Sequence, residues 1–299
     1  MQPGLHSAFR KHLRSVSRDH ANMKYELAHL AYRHLFPRWI KNALERSIVE
    51  LERFYMPTTV ELPPGRRVLV LAPHPDDESV GCGGTVRKYV ESNASVRVVI
   101  LTDGRDGDPT VRRLSGNDPE RQRLEDALAV TRKAEAAAAL HVLGVEQGYF
   151  LDAIDGQLRL HVAPIAARLA GILSEWRPDI VLLPFLTDRH ADHFATNRCF
   201  IEAVNQLEGD WAQSLNCLGY ESWSPIYANV YVDISSTMEC KRRALKCHET
   251  QLRSDDFLAG IEGLNRFRAV TGLTGGTYAE AFFLTPLPTY RHLYHNLLL

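Results

Sequence analysis

From Gly65 onward, short β-branched runs alternate with stretches of helical periodicity. That alternation restricts the chain to an α/β domain with a mainly parallel sheet, here expected as a Rossmann-like three-layer α/β/α arrangement. Strands are predicted over 66–72, 96–102, 147–151, 180–184 and 228–232, with a closing strand over 279–283. Helices are predicted over 80–91, 119–143, 162–176, 191–207, 236–250 and 256–270. At 299 residues and 45% hydrophobic content, the chain can bury one substantial core, which excludes a disordered or fibrous protein. In sheets of this kind ligands bind beyond the carboxyl ends of the strands.

Two such ends carry unusual chemistry. The apolar strand Val68–Ala72 runs into a turn that holds His74, Asp76, Asp77 and Glu78, with Gly81, Gly83 and Gly84 just behind. One imidazole and three carboxylates within a turn repel one another away from water unless a cation neutralises them, and a divalent metal is the simplest remedy. The second end follows Ile180–Pro184 and reads Asp188-Arg-His-Ala-Asp-His193. His190 and His193, three apart on a helix's first turn, can share one face, one binding metal and the other facing substrate. Asp192 beside them supplies an acceptor that fixes a ring tautomer.

Charge and cysteine usage narrow the setting. The formal net charge of −1 offers no global field for nucleic acid or a membrane. Five cysteines, odd in number and without a C-x-x-C pair, argue against a disulfide scaffold or a thiolate zinc knuckle. The first 19 residues are basic but lack an apolar signal core, and no stretch reaches the length of a membrane span, so the expected compartment is cytoplasmic.

Residues 1–54 nevertheless hold ten Lys/Arg against five acids. Leu27, Leu30, Ala31 and Leu35 recur at helical spacing, Pro37 interrupts, and Ile40, Leu44, Ile48 and Leu51 resume it, predicting two amphipathic helices. The expected organisation is an N-terminal helical extension over 1–60 and a main domain over 61–299. The basic arm fits either a peripheral-membrane or partner contact, or a helical extension packed on the main domain with a solvated basic face.

A-H-P-D-D-E after a strand, with a later H-x-D-H, resembles the LmbE/PIG-L family of zinc-dependent deacetylases. Leu101–Gly107 is similar to the family's T-x-G-x-x-G segment, and Arg132-x-x-Glu135 through Leu143-Gly-Val145 to its R-x-x-E helix ending in L-G-V. Phe150-Leu151 with Asp155-Gly156 resembles its next strand and turn. His248-x-x-Gln251 and Ala279-Glu-Ala-Phe282 resemble its closing elements. The resemblance covers roughly residues 66–285. It implies His74, Asp77 and His193 as zinc ligands and Asp76 as general base. A protonated His190, kept charged and oriented by Asp192, would stabilise the oxyanion. The implied reaction is hydrolysis of the acetamide of an N-acetylated sugar or glycoconjugate, an N-acetylglucosamine derivative. Zn2+ is the expected metal, with Fe2+, Co2+ or Mn2+ as alternatives.

Several residues carry second readings. Asp76 is also a candidate helix N-cap, and Glu78 either supports the site or complements the helix dipole. Gly81-x-Gly-Gly84 lacks a full G-x-G-x-x-G and is better explained by tight packing of helix on sheet. His248 is left out of the metal set. Trp176 and Trp211 read as packing residues, and Trp223 as packing or as a platform for a sugar ring. Where sugar deacetylases of this kind carry arginine after the threonine, this chain has Asp103, with Arg105 two places on. Asp103 and Arg105 are therefore the candidate substrate contacts. The competing hypothesis is a non-catalytic α/β module that binds a metal or nucleotide structurally and docks a partner through its basic arm. It predicts indifference to Asp76→Ala.

Overall fold

The computed structural model describes residues 57–252 and 257–297. Apart from 57–60, the expected N-terminal extension lies outside the described residues, and so does the basic arm of residues 1–54. Thr58–Val60, which the expected boundary assigns to that extension, is a strand (β1) of the main sheet.

Strands β2 (Arg67–Ala72), β3 (Ser95–Thr102), β4 (Gln147–Ala153), β5 (Ile180–Pro184), β6 (Asn216–Tyr220), β7 (Val230–Asp233) and β8 (Ala279–Pro286) join β1 in one eight-stranded sheet of order 1-7-8-6-5-2-3-4. Every pairing is parallel except those of β8, which runs antiparallel to both β6 and β7. Helices cover both faces, because β2 sends Leu69 and Leu71 into one core and Val68, Val70 and Ala72 into the other. Helices α4 (Val162–Trp176), α5 (Ala191–Val204) and α9 (Leu287–Leu297) pack on the first side. The second side takes α1 (Asp77–Glu91), α3 (Pro119–Leu143) and α6 (Met238–Lys246). Shorter helices α2 (Pro109–Arg112) and α7 (Glu249–Leu252), together with α8 (Phe257–Thr271), complete the described α-helices.

The order reverses at β2. The chain steps from β2 through β3 to β4 in one direction, then returns to place β5 on the other side of β2. Val68, Leu69 and Val70 pair with Ile180, Val181 and Leu182, so the two strand ends that lead to His74 and His193 are neighbours at the switch point, where open α/β sheets bind ligands. Residues 119 apart in sequence are thereby brought together.

Helix α1 is broken one turn after its start. Cys82 has non-helical angles (φ −146°, ψ 15°), which release the backbone groups around it. Glu280 of β8 caps the second half: its carboxylate accepts the N–H groups of Gly84 (2.9 Å) and Thr85 (2.8 Å). Lys241 of α6 donates to the freed Val80 carbonyl (2.8 Å) and to Glu280 Oε1 (2.6 Å). Both side chains are buried, at 0% and 1% exposure. This pair gives the A-E-A-F segment a physical role, holding the short turn that carries Asp77. Gly81 is required there because a Cβ would lie 2.2 Å from the Tyr220 ring, in keeping with the packing explanation of these glycines.

Candidate metal centre and active site

Three donor atoms converge beyond β2 and β5. Asp77 Oδ2 lies 3.0 Å from His74 Nδ1 and 3.2 Å from His193 Nε2, and the two nitrogens are 3.3 Å apart. Ligands about 2.0–2.1 Å from a tetrahedral centre are separated by roughly 3.3–3.4 Å, so this triangle has nearly the size a single zinc-like ion requires. His190 also approaches, its ring 4.6 Å from that of His74 and 4.9 Å from that of His193. Its Nδ1, however, accepts the backbone N–H of Asp192 (3.3 Å) at the start of α5, which leaves Asp77 as the third donor.

The far nitrogen of each ligand-type imidazole meets carboxylates. His74 Nε2 is 3.1 Å from Asp155 Oδ1 and 3.5 Å from Asp192 Oδ2, and His193 Nδ1 is 3.3 Å from Asp188 Oδ2. These are ion-pair distances off the line of a hydrogen bond, and among the described residues neither nitrogen has another partner. Carboxylates behind ligating imidazoles fix ring orientation and raise donor strength. Ser222 donates to the other oxygen of Asp77 (2.7 Å).

The protonation pattern shows how strongly the cluster draws positive charge. Burial lowers His74, yet Asp155, Asp192 and Asp77 raise it well above the usual imidazole range. Burial also opposes protonation of His193, but Asp77 and Asp188 raise it to about 9. Against the upward push of burial, His193 and His74 hold Asp77 well below the usual carboxylate range, and His74 draws Asp155 down to about 2. The buried imidazoles collect protons where a divalent ion would supply the same charge, so donor number, spacing and charge all fit a metal. His2Asp with a spare coordination position is the composition of a catalytic rather than a structural site.

Asp76 stands at the N-cap of α1 but makes no capping hydrogen bond, so the cap reading does not hold. Its Oδ2 instead accepts from Arg132 Nη2 (3.0 Å). The same guanidinium donates to the carbonyls of Gly104 (2.9 Å) and Pro75 (3.2 Å), clamping two loops around the carboxylate. Burial lifts Asp76 to about 6 despite the pull of Arg132.

Other expected roles come out differently. The carboxylate of Asp192 does not meet the His190 ring; it accepts the N–H groups of Gly156 (2.7 Å) and Leu158 (3.2 Å) and lies behind His74. Burial, with the neighbouring imidazoles of His74 and His193, lowers His190, so its expected positive charge is disfavoured. With Nδ1 accepting a hydrogen bond, a neutral His190 carries its proton on Nε2. Glu78 is buried beside His248 (3.4 Å) and accepts from Ser79 (2.7 Å), which places His248 behind the site and away from the donor triangle.

Asp103 and Arg105 do not line the cleft over the metal-type triangle. Asp103 binds Arg105 Nε (2.7 Å) and accepts the N–H of Arg105 and of Asp155, while Arg105 also reaches Asp126 (3.1 Å). The two charges satisfy each other within the loop. Asp106 and Arg112 line this cleft of about 160 Å3 instead, with Gln251, Phe257 and Trp223. Trp223 is 65% exposed and stacks near His190, at 6.2 Å between centroids. Trp176 and Trp211 pack against the core, as expected.

Sequence reasoning assigned no role to Arg132, Asp155 or Asp188. The signals were present in the R-x-x-E, D-G and D-R-H-A-D-H segments. Only the fold shows what these side chains touch.

Fold and donor set together define a class: an α/β protein with a His/carboxylate metal-type centre at the sheet's switch point and a spare buried acid beside it. The PIG-L family model, described as GlcNAc-PI de-N-acetylase, matches residues 69–204. A diacetylchitobiose deacetylase of Thermococcus kodakarensis is 31% identical over 237 residues, covering 74% of this chain and 84% of that protein. A 1D-myo-inositol 2-acetamido-2-deoxy-alpha-D-glucopyranoside deacetylase of a Mycobacterium species is 28% identical over 276 residues, covering 73% and 87%. Among solved structures, N,N'-diacetylchitobiose deacetylase of Pyrococcus horikoshii superposes with a TM-score of 0.61 at 25% identity, covering 76% of this chain and 86% of that one. The chain belongs to the PIG-L (LmbE-like) family, and it is a hydrolase of an amide C–N bond. A hydratase, GalB, shares the fold at 21% identity and a TM-score of 0.60, so the fold alone does not name a reaction.

Proposed function

We propose that this protein is a divalent-metal N-deacetylase, with zinc as the metal, that hydrolyses the acetamide of an N-acetylglucosamine-type sugar or glycoconjugate to the free amine and acetate. The observation that carries the reading is the 3.0, 3.2 and 3.3 Å donor triangle of His74, Asp77 and His193 with Asp76 beside it. Relatives that deacetylate diacetylchitobiose and a glucosaminyl inositol support the substrate class. Fe2+, Co2+ and Mn2+ suit the same donors less selectively.

A divalent ion held by these three residues supplies Lewis acidity towards water and the amide carbonyl. Asp76 is the base that removes a proton from the attacking water. Burial tunes it to a strength suited to near-neutral pH, and Arg132 holds one of its oxygens so that the other is free to act. His190, with its proton on Nε2, donates a hydrogen bond to the oxyanion as it develops. Asp76 then returns its proton to the departing amine. Asp192, Asp155 and Asp188 keep the two ligand imidazoles oriented, and Trp223 offers an aromatic face to the sugar ring.

The test combines metal analysis with acetate release. Wild-type protein should retain about one zinc per chain and release acetate from N-acetylated sugars. Asp76→Asn should keep the metal and lose roughly 10^2- to 10^4-fold in kcat. Zinc-loaded protein that liberates no acetate from a broad panel of N-acetylated sugars and glycolipids overturns the proposal.

A further inference from the structure

The chain leaves β6 for a loop, residues 221–229, that the fold pins at three points. Glu221 is buried and bound by Arg268 of α8 through Nε (3.0 Å) and Nη2 (2.6 Å). The N–H of Trp223 donates to Asp188 Oδ2 (3.0 Å), and Ser224 Oγ accepts the N–H of Arg189 (3.2 Å). Half-buried Ser222 stands between the first two anchors, and its hydroxyl meets one of the metal-type ligands: Oγ donates to Asp77 Oδ1 (2.7 Å).

Asp77 is therefore held differently at its two oxygens. Oδ2 belongs to the donor triangle with His74 Nδ1 and His193 Nε2, and it also accepts the backbone N–H of His74 (3.0 Å). Oδ1 has the Ser222 hydroxyl as its partner among the described residues. The last torsion of an aspartate is broad, so the backbone alone does not fix the plane of this carboxylate. Carboxylates bind cations through one oxygen or through both. A hydroxyl at 2.7 Å from a charged oxygen makes a strong hydrogen bond, which holds the plane and occupies a lone pair of Oδ1.

We infer that Ser222 is a positioning residue that keeps Asp77 a one-oxygen ligand and so preserves the spare coordination position on which hydrolysis depends. The inference rests on the metal-dependent deacetylase reading and deepens it: three protein donors leave room for water, whereas a second oxygen from Asp77 competes for that room. Groups that hold ligating carboxylates ordinarily contribute about 10- to 100-fold in metal affinity or activity. Here the effect falls on activity, because a released Oδ1 adds a donor rather than removing one.

The test is Ser222→Ala in the full-length protein, loaded with Zn2+ for turnover and with Co2+ for spectroscopy. Ser224→Ala is the control, because it removes a hydroxyl from the same loop that binds Arg189 and not Asp77. Metal affinity is read by competition with a chromophoric chelator. Ser222→Ala should bind metal as tightly as wild type or more tightly, and lose roughly 10- to 100-fold in kcat on an N-acetylated sugar. Its Co2+ form should show a weaker visible band, the mark of a fifth ligand, while Ser224→Ala keeps the wild-type band. Affinity that falls by roughly tenfold or more in Ser222→Ala, a Co2+ band that does not change, or a band that weakens equally in Ser224→Ala overturns the role. So does an unchanged kcat where wild type turns over. If wild type hydrolyses no N-acetylated sugar, the deacetylase reading fails by itself, and the Co2+ spectra still decide whether Ser222 limits Asp77 to one oxygen.

Discussion

Replacing Glu280 tests how the turn that carries Asp77 is held. The carboxylate receives three donors, the N–H groups of Gly84 and Thr85 and the ammonium of Lys241, at 2.6–2.9 Å and 1% exposure. In Glu280→Gln the amide can accept at one oxygen only, so its NH2 faces a donor and the buried Lys241 loses its counter-charge. Removing one partner of a buried ion pair costs about 3–5 kcal/mol. For a unit the size of Pro57–Leu299, each kcal/mol moves Tm by about 2–4 °C, so the expected fall is about 6–20 °C. Lys241→Met is milder, about 2–3 kcal/mol, because the carboxylate keeps both backbone N–H bonds at the head of the second half of α1. The double variant should recover a substantial part of the sum, since each single change leaves the other group stranded. The assay is thermal or urea unfolding of all four proteins, with metal content measured alongside. A Glu280→Gln protein within about 2 °C of wild type, or a double variant whose loss equals the sum of the singles, would falsify the coupling.

Arg132→Lys should lower kcat by roughly 10- to 100-fold with little change in KM, because a point charge cannot clamp Gly104, Pro75 and Asp76 together; equal losses in both parameters would instead indicate a damaged binding site. Chelation should abolish turnover and remove about 2.7 kcal/mol of stability relative to metal at 100 times its Kd, seen as a Tm drop of about 5–11 °C that zinc restores. Asp179 accepts the N–H groups of Arg66 and Arg67 at the start of β2; burial pushes it up, but these bonds prevail and hold it below the usual carboxylate range. A depressed folded-state pKa stabilises above the unfolded value and is lost as pH falls through the folded one. Asp179→Asn should therefore flatten the acid side of a Tm–pH profile below about pH 4, and an unchanged profile counts against that bond. If residues 1–54 form a membrane contact, their deletion should abolish binding to anionic vesicles and spare hydrolysis of a soluble substrate; vesicle binding that survives deletion sinks that role. Among the described residues, no helix is long and apolar enough to cross a membrane.

The sequence by itself determined the alternation of strands and helices and the two separate motifs that carry His74, Asp76 and Asp77 and, later, His193, because each of these rests on short-range patterns. Hydrophobic period and turn chemistry act within a few residues, so β5, α3 and α4 lie where the pattern placed them. Strand β6 was missed: five residues with Gly219 inside carry little strand signal, and it exists because β5 and β8 pair on either side. Helix α9 was also missed, its register set by burial of Leu287 and Tyr290 against the sheet. Only the tertiary structure decided that Arg132 holds Asp76, that Asp188 and Asp155 stand behind the imidazoles, and that Glu280 caps a broken helix 196 residues away. It also placed Asp106 and Arg112, rather than Asp103 and Arg105, on the wall of the cleft. Neighbours in a loop differ in which way they point, and that direction is set by partners such as Asp126 and Asp155 from elsewhere in the chain. Local sequence encodes which chemistry is available, and long-range packing decides which of it faces the cleft.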